Sequence, residues 1–376
     1  MLMVSELVTN YFLTFRKHLI MLPFFFLFFS CRPLEQTTLP FKYDDFILVN
    51  VTINDTLSGN MIFDTGSNHT IIYKKLVEFD KSTKSKEAKI TDLYGNIDKI
   101  IYSRVKKFTI GNQYLNNVKI RFHDLNNIYT KNKIIGILGT DIISKYSWAF
   151  DFKSNELKIS SIKFKNKNLI ELNVDYKRKS LIKESLKISN KQIDSFILDT
   201  GCLCQVNLNS INKPDLKFNT QLNLFKSIVG KEEIYEIDFA NLGKISYKSH
   251  EIDSVQIQSS KKFKNLLGLD LFKKETIVVD GVSNKFYYSG MSKFKNNNTN
   301  EIGLRFGIKE DDIIVNAIIK NSVSYRKGIN LGDKITMLNN KTFTVSHKTL
   351  DSINDNKKNI KNITIKRKEE ILEFSF

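Results

Sequence analysis

Cysteine is scarce in this chain: only Cys31, Cys202 and Cys204 occur among 376 residues. Neither a disulfide scaffold nor a four-thiolate zinc site can therefore be assembled from it. Histidine is scarce as well, and His18, His69, His123, His250 and His347 fall at no ligand spacing, so no metal and no cofactor is expected. Arginine supplies only eight of the 58 basic side chains. Without its planar fork, and without any helix-turn-helix, zinc-finger or aromatic RNA-binding signature, nucleic-acid binding is the less favoured reading of the charge; an RNA-binding basic protein is kept as an alternative that predicts strongly salt-dependent affinity. No apolar run reaches the roughly 20 residues of a membrane-spanning helix, which excludes a multi-span transporter. There is no Gly-x-Ser-x-Gly, no His-Glu-x-x-His and no phosphate loop.

What is present is a large apolar content. At 41% apolar and 11% aromatic residues the chain can build two or three domains, each with its own core, and is too hydrophobic to be mainly disordered. The formal charge of +18 comes from lysines scattered among Asn and Ile. It reads as a solvated surface, with a weak, salt-sensitive attraction to anionic lipid head groups and no nucleic-acid partner.

Arg16, Lys17 and His18 precede an apolar stretch from Leu19 to Ser30, followed by Cys31. This charged-then-apolar order over residues 1–31 predicts a secretory signal rather than part of the fold. Phe28-Phe29-Ser30-Cys31 resembles a bacterial lipoprotein signal, which makes Cys31 the candidate for lipidation and gives the chain a membrane anchor. Ordinary cleavage and an uncleaved anchor are the alternatives. All three put the protein outside the cytoplasm, in the bacterial envelope or periplasm.

The middle of the chain is a repeat. Ile137 to Ser160 and Leu266 to Ser289 align without gaps at an offset of 129, with eight of 24 positions identical, including Gly139/Gly268, Asp141/Asp270, Asp151/Asp280 and Asn155/Asn284. Upstream of each copy lies Asp-Thr-Gly behind an apolar pair, at Asp64-Thr65-Gly66 and Asp199-Thr200-Gly201. The chain is thus built from two copies of one lobe. Between tripeptide and repeat run short β-branched and aromatic segments such as Lys106 to Ile110, Val118 to Phe122 and Ile252 to Gln258, which predict mostly β lobes closing into small barrels. Ile47 to Ile53 and Leu186 to Ile188 are expected as the strands leading into each tripeptide. Brief helices are expected near Lys74 to Phe79 and after Gly139.

Two carboxylates brought together across a pseudo-twofold axis cannot both ionise cheaply, so such a pair holds one proton. One oxygen can then take a proton from water while the other carboxyl donates to a scissile carbonyl. The paired tripeptides, each followed by apolar-apolar-Gly, resemble the aspartic proteases, specifically a retropepsin-like pair of lobes fused in one chain, over about Phe41 to Gly290. The resemblance implies Asp64 and Asp199 as the catalytic dyad, with polypeptides as substrates. It further implies Thr65 and Thr200 cross-linking the lobes, Gly66 and Gly201 admitting backbone amides to each carboxylate, and Ser67 hydrogen-bonding the outer carboxylate oxygen. Gly139 and Gly268 would pass beneath the two loops. The flap candidate is Leu93-Tyr94-Gly95-Asn96, with Tyr94 and Gly95 at the cleft, against the alternative of a plain surface hairpin; Ile228-Val229-Gly230 is its counterpart. Cys202 stands where the family has Ser or Ala. Cys202 and Cys204, on one face of an expected strand, read as buried small apolar residues in preference to a bridge.

After the polar stretch Met291 to Asn300 comes a third unit of strands and Gly-rich turns, with a helix expected from about Ser346 to Lys357 and a terminal hairpin. Gly303-Leu304-Arg305-Phe306 and Ile329-Asn330-Leu331-Gly332-Asp333-Lys334-Ile335 resemble a bacterial PDZ domain. This implies capture of C-terminal peptide tails by the amides of Leu304, Arg305 and Phe306. The expected organisation is then a mainly β protein with a signal at 1–31, protease lobes at 42–163 and 164–290, a linker at 291–300 and a PDZ-like domain at 301–376. The expected activity is that of an aspartic endopeptidase whose substrate is recruited or gated by the PDZ domain. The alternative is an inactive envelope scaffold that binds peptides through the PDZ groove.

Overall fold

The computed structural model describes residues 36–376, apart from 77–85, 92–96, 125–133, 167, 227–231, 274–275 and 295–301. Strand accounts for 56% of the described residues and helix for 10%, so the protein is mainly β as the short β-branched runs require.

Six strands close the first barrel. Phe46–Ile53 pairs with Leu57–Phe63, then in turn come Ile134–Leu138, Ile71–Tyr73, Gln113–His123 and Ile97–Ile110, and the last returns to the first through Thr52↔Thr109 and Ile53↔Phe108. Along Phe46–Ile53, Ile47, Val49, Val51 and Ile53 alternate into the core, which is the period-two burial that a pleated strand imposes. Leu57–Phe63 itself runs into the first Asp-Thr-Gly. The expected leading strand, Ile47 to Ile53, is instead its hairpin partner, because Asn54 and Asp55 take positive φ and reverse the chain first.

The second lobe repeats this order with Leu186–Ile188, Leu266–Gly268, Val206–Asn209, His250–Ser260 and Glu232–Tyr247. Its counterpart of Leu57–Phe63 is split into Lys191–Ile193 and Ile197–Asp199, with Ser195 at positive φ between them. Here too the expected leading strand, Leu186–Ile188, pairs back onto Lys191–Ile193 and does not run into the tripeptide.

A six-stranded sheet joins the lobes, in the order Gln36–Pro40, Glu156–Ser160, Ser147–Asp151, Thr276–Asp280, Lys285–Tyr288 and Ile170–Asp175. At its centre Ala149 pairs with Val278. Those two residues are related by the repeat offset itself, so the pseudo-twofold axis of the sequence passes through this pair. Asn155 and Asn284, identical in the repeat, both sit at φ 56° in the two matching turns, a conformation Asn tolerates better than most residues. Gln36–Pro40 joins this sheet although it precedes the expected lobe boundary at 42.

One apolar core runs through both lobes beneath this sheet. Phe63 packs edge-on against Trp148 and Phe150, with ring centroids 5.2 and 4.8 Å away, and Phe272 against Phe286 at 5.0 Å forms a second-lobe cluster. Each such buried ring contributes roughly 1.5–3 kcal/mol relative to exposure.

The C-terminal unit has a separate core around Leu304, Phe306, Val315, Ile335 and Ile365. Strands Leu304–Lys309, Asp312–Ile319, Lys334–Leu338, Asn362–Arg367 and Glu370–Ser375 pair antiparallel in that order, and the helix His347–Asp355, capped by Ser346, packs on the first. Asp312–Ile319 also pairs with Asn219–Lys226 of the second lobe through Leu222↔Ile318. The expected linker is partly structured: Ser292 N–H donates to the Leu271 carbonyl and Phe294 N–H to that of Ser254. The expected helix after Lys74 is a single 3-10 turn, Lys74–Leu76, and 77–79 lie outside the described residues. The one after Gly139 is Thr140–Ile143. Among the described residues no helix is long and apolar enough to cross a membrane.

Candidate active site

Both Asp-Thr-Gly loops leave the end of a strand that runs parallel to a second, apolar strand. Phe63 pairs with Leu138 in the first lobe and Leu198 with Leu267 in the second. This equivalence brings the loops face to face at the pseudo-twofold axis.

Four hydrogen bonds lock them. Thr65 Oγ1 donates to the Leu198 carbonyl at 2.7 Å and accepts from Thr200 N at 3.1 Å; Thr200 Oγ1 donates to the Phe63 carbonyl at 2.7 Å and accepts from Thr65 N at 3.0 Å. Both threonines are buried. Ser180, which no local sequence pattern singles out, adds a fifth link by donating to the Thr65 carbonyl at 2.6 Å.

The carboxyls of Asp64 and Asp199 hydrogen-bond each other. A Cβ on Gly66 would lie 2.6 Å from the Asp199 carboxylate oxygens, and one on Gly201 2.5 Å from the Asp64 carboxyl carbon. Glycine at these two positions is thus what lets the carboxyls meet. Asp64 Oδ1 accepts from Gly66 N at 2.8 Å and Ser67 N at 3.0 Å, while Asp199 Oδ1 accepts from Gly201 N at 2.9 Å.

Burial raises both carboxyls above the usual range, and Asp199 is raised well above it because the charge of Asp64 adds to its burial. For Asp64 the amides of Ser67 and Gly66 and the hydrogen bond from Asp199 pull back against burial. Asp64, with two close amide donors, is the better-stabilised anion of the pair, and Asp199 is the member pushed further toward its protonated form.

Gly139 and Gly268 lie beneath the two loops. A Cβ at Gly139 would stand 2.5 Å from the His69 carbonyl oxygen, and one at Gly268 2.5 Å from Cys204 Sγ. Thr70 ties the first loop to Asp141, whose Oδ1 accepts from Thr70 N at 2.8 Å and Thr70 Oγ1 at 2.6 Å, with Arg121 behind it. Burial, and then the charge of Arg121, lower His69 to about 4, so it is neutral near pH 7.

Two expectations need correction. The Ser67 hydroxyl donates to the His69 carbonyl at 2.9 Å instead of to the Asp64 carboxylate; only the Ser67 backbone amide reaches that carboxylate. Cys202 and Cys204 are joined as a disulfide and are not free thiols. The chain bends here where a strand was expected, bringing the two Cα atoms to 5.4 Å, against about 6.6 Å for two residues of extended strand.

Tyr94 and Gly95 of the expected flap, its counterpart Ile228-Val229-Gly230, and Cys31 lie outside the described residues. The arms of the first hairpin, Lys86–Thr91 and Ile97–Ile110, are paired up to Thr91↔Ile97.

In the C-terminal unit Gly303 takes φ 76°, and a side chain there would collide with Ser322. Leu304 is buried and Arg305 exposed. The backbone of Phe306 is engaged on both sides by Asn354 of the helix, whose Oδ1 accepts from Phe306 N at 3.2 Å and whose Nδ2 donates to the Phe306 carbonyl at 3.1 Å. Among the described residues no cluster of His, Cys, Asp and Glu could hold a metal ion.

A family model described as aspartyl protease matches residues 49–142, about a quarter of the chain. The match takes in the first Asp-Thr-Gly, its strands and the Gly139 turn, and supports an aspartyl protease family and a hydrolytic activity. No curated protein matches the chain.

Proposed function

We propose that this protein is an aspartic endopeptidase in which Asp64 and Asp199 share one proton across the pseudo-twofold axis. Asp64, held as the carboxylate by two amides, takes a proton from a water lying between the carboxyls, and the resulting hydroxide attacks the scissile carbonyl carbon. Asp199 gives its proton to the carbonyl oxygen, so a tetrahedral intermediate forms without net charge build-up. Return of a proton to the leaving nitrogen completes amide hydrolysis. The observation that carries this reading is the contact between the two carboxyls inside a reciprocal threonine lock, an arrangement that holds two acids together at a cost an inert scaffold has no reason to bear.

The C-terminal unit is read as a tail-binding module coupled to the second lobe. Arg305 and Lys357 lie near enough for the Arg305 charge to add to burial in lowering Lys357 to about 8. A peptide carboxylate would relieve that repulsion. Its strand would take the place of Asn354 along Phe306. Location outside the cytoplasm, with Cys31 as lipid carrier, is proposed from the N-terminal sequence, and the Cys202–Cys204 bridge fits an oxidising compartment.

The test is cleavage of a mixed peptide library from pH 3 to 8 by the wild type and by Asp199→Asn. The variant should lose cleavage and keep tail binding. A folded wild type that binds tails and cleaves nothing at any pH would make this a binding scaffold instead.

A further inference from the structure

The two active-site loops diverge after the shared Asp-Thr-Gly, with Ser67-Asn68-His69-Thr70 in the first standing against Cys202-Leu203-Cys204-Gln205 in the second. In the first, Ser67 closes the turn onto His69 with hydrogen bonds, Oγ donating to the His69 carbonyl at 2.9 Å and accepting from His69 N at 3.4 Å. In the second, the positions 135 residues on are Cys202 and Cys204, and the same turn is closed by a covalent bond. The amides then diverge. Ser67 N–H donates to the Asp64 carboxylate at 3.0 Å, whereas the Cys202 N–H donates to the Asp199 main-chain carbonyl at 3.3 Å.

We infer that the Cys202–Cys204 bridge is a positioning element of the dyad, which holds the second turn so that the Cys202 amide donates to the Asp199 main-chain carbonyl and reaches the Asp199 carboxyl only weakly, whereas the Gly66 and Ser67 amides both donate to the Asp64 carboxyl. The carboxyl with fewer donors is the poorer anion, so the bridge decides which member of a nearly symmetric pair keeps the proton. The order of influences agrees: the amide of Ser67 is the strongest of the hydrogen bonds that lower Asp64, and that of Cys202 the weakest of those acting on Asp199.

The surroundings hold the bridge in place. Cys204 is buried over Gly268, the Cys202 carbonyl accepts from Leu269 N at 3.0 Å, and Asn207 Nδ2 approaches Cys202 Sγ at 3.7 Å. Of the charged groups near the first loop, Arg121 pairs with Asp141, while Lys119 and Lys179 also act on His69, which is neutral near pH 7; near the second, Lys273 pairs with Asp270. Asymmetry between the carboxyls is left to the backbone amides and to the carboxyls themselves.

The activity readout of this inference rests on the endopeptidase reading, so the test carries a second readout that does not. The variant Cys202→Ser/Cys204→His puts the first-lobe residues at both ends of the bridge and removes the covalent closure. In wild type and variant, with aspartate carboxyls labelled with 13C, the two dyad titrations are followed by NMR beside the pH profile of kcat/KM. Restoring a second amide should bring the upper titration and the basic limb of the profile down by about 1 pH unit and leave the lower titration and acid limb in place.

Wild type treated with a dithiol should move the same way. In that step the reagent's thiolate attacks Cys202 Sγ and displaces the Cys204 thiolate, which takes up a proton. The reagent's second thiol then closes its own disulfide and frees Cys202, so two electrons and two protons pass to the protein. The rebuilt variant should ignore the reagent. This arm also serves where the variant does not fold.

Upper titrations that coincide in oxidised wild type, reduced wild type and variant would overturn the inference, as would alkylation and mass analysis showing two free thiols in the untreated protein. Absence of cleavage with shifted titrations would instead count against the endopeptidase reading alone.

Discussion

Replacing Thr65 by Val removes one hydroxyl and keeps the shape of the side chain. In the buried lock it deletes two hydrogen bonds, the donation to the Leu198 carbonyl at 2.7 Å and the acceptance from Thr200 N at 3.1 Å. Both partners stay behind with no water to replace the lost group, since Thr65 and Thr200 are 0% and 1% exposed. An orphaned buried donor or acceptor costs about 1–3 kcal/mol, and the methyl that replaces the hydroxyl returns under about 1 kcal/mol, which leaves a loss of about 2–4 kcal/mol. Thr65→Ser keeps both hydrogen bonds and gives up one buried methyl, for about 1 kcal/mol. Urea unfolding followed by tryptophan fluorescence reads both, because Trp148 lies in the core beneath the loops. Thr200→Val should cost about as much as Thr65→Val, given its reciprocal bonds. Equal losses for Thr65→Val and Thr65→Ser would refute the view that the four hydrogen bonds carry the joint between the lobes.

Two further outcomes follow from the charges. Because the Asp199 pKa is raised on folding, the folded state holds a proton that the unfolded chain releases near pH 4. Stability from this group is complete below that pH and is lost as pH rises through the folded pKa, so wild type should lose stability from pH 4 upward while Asp199→Asn lacks that loss, as thermal melts across pH would register. Lys357, lowered to about 8, should give up its charge between pH 7 and 9. Affinity for a peptide with a free C-terminal carboxylate, measured by fluorescence polarisation, should fall over that interval in wild type and stay flat in Lys357→Met.

Much of the site was legible because its signals are repeated. Asp64 and Asp199 stand at equivalent places in two copies, and the identities Gly139/Gly268 and Asn155/Asn284 each mark a backbone demand, a close approach or a left-handed turn, that few residues can meet. Strand positions such as Ile47 to Ile53 are legible from periodicity, but their partners are not, because pairing is set by the turn at Asn54 and Asp55, which makes this strand a hairpin arm and leaves Leu57–Phe63 to carry the tripeptide. Ser180 left no trace in the sequence, since a buried serine donating to a distant carbonyl has no local pattern. The engagement of Phe306 by Asn354 is likewise a contact between residues 48 apart.

By itself the sequence determined the class and symmetry of this protein: two related mainly β lobes, a pair of acids in glycine-flanked turns, and a third unit after a polar stretch. Those follow from local rules of periodicity, turn chemistry and repetition. Tertiary structure decided what the acids experience. With the same tripeptide, Asp199 is raised further than Asp64 because the charge of its neighbour adds to burial and the backbone amides reach the two carboxyls differently. The bridge between Cys202 and Cys204 was decided there too, since two cysteines at that spacing approach only when the chain between them leaves the extended form, as it does where it passes against Gly268.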